Sequence, residues 1–258
     1  MTAARRVCLI TGAATGIGAA CARAFAAQGW DLALSWFDEA NRVALQGVAA
    51  DTSAHGVRVL QHPLDVTRED SCAAFALATQ EHFGRLDALV NCAGTTRFIA
   101  HDDLEALAPE EFLRTYDVNT VGLYRMTRAC VPALRASGQG SVVNISSIGG
   151  LLGRGSSMAY AASKGAVHTL TLSLARALAP SIRVNAIAPG FVAGGLPSRV
   201  LDAAQHERAV QQQTERAPLH RVSQPEEVAA LAHFVTAHQP GMTGAVLPMD
   251  NGLHLNAG

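Results

Sequence analysis

Short apolar runs and longer amphipathic stretches alternate from one end of the chain to the other. Val7–Ile10, Asp31–Trp36, Val57–Gln61, Ala88–Val90, Ser141–Ile145, Arg183–Ala186 and Ala245–Pro248 are brief and rich in aliphatic residues, which predicts strands. Ala19–Gln28, Arg68–His82, Val118–Ala136 and Ala159–Ala179 carry Ala-rich patterns of helical period. Strict alternation predicts an α/β fold, a doubly wound parallel sheet of about seven strands with helices on both faces. No linker, repeat or tail divides the 258 residues, so one domain spanning 1–258 is expected. The exception is 194–217, polar and ending in Gln211-Gln212-Gln213. It reads equally as a lid over a substrate site and as a variable surface helix.

Composition narrows the function classes. The formal net charge is -1 with both signs interspersed, which speaks against a nucleic-acid surface or an anionic-membrane partner. The 5 cysteines (Cys8, Cys21, Cys72, Cys92 and Cys130) are scattered without a C-x-x-C pair, so no metal site is expected. Only Val7–Ile10 follows Arg5-Arg6 as an apolar run, too short for a signal peptide, and a cytoplasmic setting is expected. Of the 20 basic residues one alone is lysine, Lys164, and it stands four residues after Tyr160. That spacing puts both on one helix face. An ammonium there is expected to lower the phenol's pKa, and arginine is a poor substitute for a compact charge that relays protons.

The first predicted strand runs into Thr11-Gly12-Ala13-Ala14-Thr15-Gly16-Ile17-Gly18 and then a helix, a turn that lets a pyrophosphate approach the backbone. With Asn91-Cys92-Ala93-Gly94, Asn119, Ser147, Tyr160-x-x-x-Lys164 and Pro189-Gly190 in the same order, nearly the whole chain resembles the short-chain dehydrogenase/reductase family. The resemblance implies a Rossmann-like domain and hydride transfer between NAD(P) and a ketone or secondary alcohol. It implies Tyr160 as acid or base, Lys164 on the nicotinamide ribose, Ser147 on the substrate oxygen and Asn119 supporting a water-linked relay. Ser146, neighbour to Ser147, is expected to be structural, since alternate strand residues face opposite ways.

For the cofactor the resemblance implies Gly12, Thr15, Gly16, Ile17 and Gly18 at the phosphates, and Trp36 and Phe37 near the adenosine ribose. Asp65 and Val66 would meet the adenine; a helix N-cap is the plainer role for Asp65. Asn91, Ala93, Gly94, Pro189, Gly190 and Val192 would line the nicotinamide side. Cys92 departs from the common Asn and is read as a small packing residue. Gly194 stands where a Thr or Ser clamp is usual, and Asp250-Asn251-Gly252 resembles the closing Asp-Gly-Gly. Neither an acid nor a base stands at Trp36 or Phe37, which tips the expectation towards NADP(H) over NAD(H), with Arg42 one turn on as a 2′-phosphate ligand or a solvated residue.

Substrate residues implied are Gly149, Leu152, Arg154 and Phe191, with Leu196 beside them. Their mostly apolar character suits a lipophilic or acyl ketone, and Arg154 either binds an anion or faces solvent. Asn91–Arg97 and Asn119–Arg125 look like the 3-oxoacyl-carrier-protein reductase branch, where Arg125 and Arg176 would dock a carrier or simply form surface ion pairs. An acyl thioester is thus a candidate substrate. Other readings are a non-catalytic nucleotide-sensing protein and a nucleotide-sugar epimerase or dehydratase, the latter disfavoured by the short stretch after Pro189-Gly190. A homotetramer or homodimer through the two long helices is implied as well.

Overall fold

The structure, a computed structural model, describes residues 5–256. Seven strands form one all-parallel sheet: β1 (Val7–Ile10), β2 (Asp31–Trp36), β3 (Val59–Pro63), β4 (Ala88–Asn91), β5 (Gly140–Ile145), β6 (Ile182–Pro189) and β7 (Val246–Met249). Their spatial order is β3-β2-β1-β4-β5-β6-β7. The order reverses beside β1, and β1 pairs in parallel with both β2 and β4. At such a switch point the loops leaving two neighbouring strands diverge to opposite faces and open a crevice at the carboxyl ends.

β1 shows why its sequence makes a central strand. All four residues are fully buried, Cys8 and Ile10 joining one core and Val7 and Leu9 the other. Alternate side chains point to opposite faces, so a continuous apolar run is what a sheet covered on both sides requires. The first core lies under α1 (Gly16–Ala27), α2 (Glu39–Ser53) and a later helix, Pro225–His238, with Phe25, Leu45 and Val228 at its centre. The second lies under α3 (Glu69–Phe83) and two later helices, with Phe75, Met126 and Val167. Those partners follow α4 (Pro109–Tyr116) as α5 (Leu123–Ala136), the short α6 (Gly149–Leu152) and α7 (Met158–Leu178). The chain closes with α8 (Pro197–Val200), α9 (Ala203–Arg216), α10 (Pro225–His238) and a 3-10 turn, Leu253–Asn256. Among the described residues no helix is long and apolar enough to cross a membrane.

Most elements shift by a residue or more at one end from the sequence reading, and three differences have a visible cause. β3 starts at Val59 rather than Val57, because register pairs Leu32 with Val59 while Val57 drops into the core beneath α2. β6 extends through Pro189, carried by pairing of Ala188 and Pro189 with β7. The stretch expected as one helix from Val118 opens with a π-helical turn, Asp117–Gly122. The segment 194–217 is helical, as α8 and α9, and no residue of α9 is fully buried.

Gly18 shows how tightly the first crossover packs. A Cβ added there would lie 2.1 Å from the Gly12 carbonyl oxygen, inside backbone that cannot retreat. In an ordinary helix Gly→Ala stabilises by about 0.5–1 kcal/mol. Gly18→Ala is expected to do the opposite, lowering the urea midpoint and weakening cofactor binding together; a variant at least as stable as wild type contradicts this packing.

Candidate active site

The carboxyl ends of β1, β4, β5 and β6 open into one cleft of about 1450 Å³. Its two ends differ in chemistry. One runs along the turn after β1 to the tip of β2, and the other is walled by α6, the loop after β4 and α9.

Tyr160 and Lys164 stand where these ends meet. Ser157 starts α7 by accepting a hydrogen bond from Tyr160 N at 3.2 Å, so the phenol leaves the first turn of the helix. One turn on, Lys164 is only 6 % exposed. Its Nζ donates to the Ile145 carbonyl at 2.9 Å and lies 5.6 Å from the Tyr160 ring centroid. Burial lowers the ammonium's pKa to about 8, since a charge removed from water is disfavoured. The Tyr160 phenol is raised to about 12, chiefly by burial, although its hydrogen bond with the Ser147 hydroxyl pulls the other way. The expected lowering of the phenol by Lys164 is therefore corrected. In the protein alone, desolvation outweighs it, and the ammonium's hydrogen bond goes to a main-chain carbonyl.

Ser147 also accepts from Gly149 N at 3.0 Å, which fixes its hydroxyl at the mouth of α6. Ser146 faces away, as alternation requires: its hydroxyl donates to Lys164 O and meets His168 Nε2 at 2.7 Å. Asn119 sits in the π-helical turn and is almost wholly buried, behind the cleft wall. Its amide accepts from Thr95 N at 2.8 Å and donates to Thr95 O and Ser163 Oγ, each at 3.0 Å. It thereby pins the loop after β4 to α7.

At the other end, Gly12, Thr15, Gly16 and Ile17 line the cleft, while Gly18 lies behind them. Thr15 occupies the N-cap of α1 without a side-chain cap, leaving first-turn N–H groups for an anion. Trp36, Phe37, Asp65 and Val66 line the far wall. Asp65 does not cap α3, whose N-cap is Arg68; its Oδ1 instead accepts from Thr67 N and Thr67 Oγ1 at 2.9 and 2.6 Å. Asn91 is also set behind the wall. Its Nδ2 donates to Thr127 and Asn144, each at 3.0 Å, tying β4 to β5 and α5. Cys92, Ala93 and Gly94 do reach the cleft, held where Thr11 Oγ1 accepts from the Cys92 and Ala93 amides. Pro189, Gly190 and Val192 complete that side. The glycine turn, the open helix end and the apolar adenosine wall fit a dinucleotide.

Gly149, Leu152, Arg154, Phe191 and Leu196 line the substrate end as expected. Phe98, His101, Leu253 and Gln212 join them without having been read from the sequence. A run of apolar residues in the loop after β4 was the available signal for Phe98; His101 follows on the same loop, and Gln212 and Leu253 are brought in by the paths of α9 and the C-terminal turn. Arg125 is engaged, donating to Asp117 Oδ1 at 2.7 Å with its side chain 22 % exposed. Arg176 is exposed in the last turn of α7. Arg42 forks onto Glu39 at 2.5–3.0 Å and does not line the cleft, though its neighbour Asn41 does.

Comparison with known proteins agrees with this geometry. The family described as "Enoyl-(Acyl carrier protein) reductase" matches residues 12–254. The chain is 38% identical over 250 residues to "Granaticin polyketide synthase putative ketoacyl reductase 2" of Streptomyces violaceoruber, covering 96% of each. It is 34% identical to a 3-oxoacyl-[acyl-carrier-protein] reductase of Thermotoga maritima, covering 96% of this chain and 97% of that one. A solved structure titled "putative short-chain dehydrogenase/reductase from Burkholderia xenovorans" superposes with a TM-score of 0.91 at 49% identity, over 98% of this chain and 100% of that chain. The chain thus belongs to the short-chain dehydrogenase/reductase family, oxidoreductases that use a nicotinamide cofactor.

Proposed function

We propose that the protein interconverts a small ketone and its secondary alcohol, with Tyr160 moving the proton. One observation carries the reading: the Tyr160 phenol hydrogen-bonds Ser147 and stands one helical turn from a buried ammonium, all at the junction of the two halves of the cleft. Ala93, Pro189 and Val192 would hold the nicotinamide of a bound cofactor, which would supply or accept the hydride. Ser147 donates to the substrate oxygen, and the neutral phenol delivers its proton as negative charge develops there. Lys164 holds the ribose hydroxyls and stabilises the phenolate that remains. Asn119 positions the loop carrying Thr95 against α7, and a water at that loop links Lys164 outward. The intact set argues against the non-catalytic reading. Removing the acid with Tyr160→Phe is expected to lower kcat about 100-fold or more while cofactor binding, followed by fluorescence, persists. Because the phenol starts protonated, wild-type alcohol oxidation should climb with pH between about 7 and 10, and that limb should vanish in the variant. Full rate in Tyr160→Phe contradicts the mechanism.

NADP(H) is proposed as the preferred cofactor. The carboxylate that lines the cleft at the tip of β2, Asp38, has its Oδ1 taken by Asn41 N and Nδ2, both at 2.8 Å, as the N-cap of α2. Arg42 is held only by an exposed ion pair with Glu39, a weak contact that a 2′-phosphate can outcompete. Titration should show NADPH binding tighter than NADH, with the advantage lost in Arg42→Ala; tighter NADH in wild type contradicts the assignment.

An acyl thioester is a second substrate reading, favoured by the ketoacyl reductases among the relatives. It draws less support from carrier docking, because Arg125 already serves Asp117.

Self-association is proposed through the α4–α7 face, where Phe112, Leu113 and Tyr116 are exposed beside α7. A contiguous apolar face of this kind marks an interface. Light scattering at micromolar concentration should give a tetramer or dimer, and a monomer would refute this.

A further inference from the structure

We propose that the substrate carries a carboxylate, bound by Arg154 alongside the reacting carbonyl; this rests on the ketone–alcohol reading above. Arg154 stands on a short loop close to the two hydroxyls that handle the substrate oxygen. A Cβ on Gly149 would fall 2.4 Å from the Arg154 carbonyl oxygen and 3.2 Å from Ser147 Oγ. A Cβ on Gly155 would fall 3.5 Å from Tyr160 Cδ1. The backbone on either side of Arg154 is therefore fitted against Ser147 on one side and the Tyr160 ring on the other. Arg154 lines the cleft, and its backbone lies within one side chain's length of the chemistry.

Arg114 is matched by Glu111, which accepts from its Nε and Nη2 at 3.1 and 2.7 Å. Arg216, at the end of α9, has no ion pair among the described residues, its neighbour Glu215 accepting from Gln211 Nε2 at 3.0 Å; of the two unpaired arginines Arg154 is the one beside the reacting hydroxyls. Arg154 is exposed and has no ion pair among the described residues. Around it the wall is apolar, with Leu152, Phe98 and Phe191. A planar fork with five donors above an apolar wall recognises a carboxylate on a hydrocarbon frame better than a neutral ketone.

A second polar group on the same wall lacks a partner. His101 Nε2 is buried with no hydrogen bond. The loop that carries it is tied to the Arg154 loop, since Ile99 N donates to Ser156 O at 2.8 Å and the Thr96 and Ser156 hydroxyls hydrogen-bond. A buried polar atom normally has a partner, and a carboxylate that drew this loop aside would supply one. The substrate is then compact: a ring or short chain with the carbonyl at Tyr160 and the anion at Arg154, rather than a long acyl group handed over by a carrier.

The test uses the full-length enzyme saturated with NADP(H). Calorimetry compares cyclohexanecarboxylate with cyclohexylmethanol, and steady-state rates compare 4-oxocyclohexanecarboxylate with its methyl ester. The acid is expected to bind where the alcohol does not, and to be preferred over the ester in kcat/KM about tenfold or more. In Arg154→Gln that preference should fall to about one, and in Arg154→Lys it should partly return, a pattern a merely structural arginine would not give. Carboxylate binding without turnover of either ketone supports the anion site and removes the ketone reading. Equal use of acid and ester by wild type, or a preference unchanged in Arg154→Gln, overturns the proposal and leaves the ketone reading standing.

Discussion

The site is organised around one buried ammonium. A cation taken out of water must be met by oxygen acceptors or lose its charge, and Lys164 meets the Ile145 carbonyl at the end of β5. That contact requires α7 to lie across the end of β5. α6, which follows β5, packs just as closely on α7: a Cβ on Gly150 would fall 2.5 Å from Gly165 N and from the Lys164 carbonyl carbon. With α7 fixed, Tyr160 is carried one turn back along the same face, to the hydroxyl that β5 delivers at Ser147. The catalytic geometry is therefore a consequence of how one helix rests on one strand end.

Burial then sets the electrostatics. Both members of the pair are driven towards their neutral forms, the phenol to about 12 and the ammonium to about 8. A neutral phenol is the form that can protonate a ketone oxygen, whereas alcohol oxidation has to begin from the phenolate. His168, packed against Ser146, is lowered by burial and by the neighbouring Lys164, so the cluster avoids a second nearby cation.

Much of this was legible in the chain. β1 and β2 were read to the residue; β1 is written as an unbroken apolar run, and in β2 the run Leu32–Leu34 is flanked by the buried polar residues Asp31 and Ser35. The Tyr160–Lys164 spacing announced the helix face before any fold was assumed. Other features were invisible for physical reasons. The π-helical turn at Asp117–Gly122 depends on a tertiary contact, since Gly122 leaves room for Val66, whose side chain a Cβ there would meet at 2.7 Å. Gly18, Asn91 and Asn119 look like cofactor or catalytic residues in the sequence, yet they stand behind the wall and hold its parts together. The state of Arg125 was equally hidden: it reads as a free basic residue, and only the fold brings it to Asp117.

The central claim is hydride delivery to a carbonyl carbon at the junction occupied by Tyr160, Ser147 and Lys164. A single turnover with NADPH deuterated at the transferring position of the nicotinamide tests it most directly. The account predicts an alcohol carrying one deuterium on its carbinol carbon, of a single configuration. An alcohol without deuterium, or a racemic product, would contradict it.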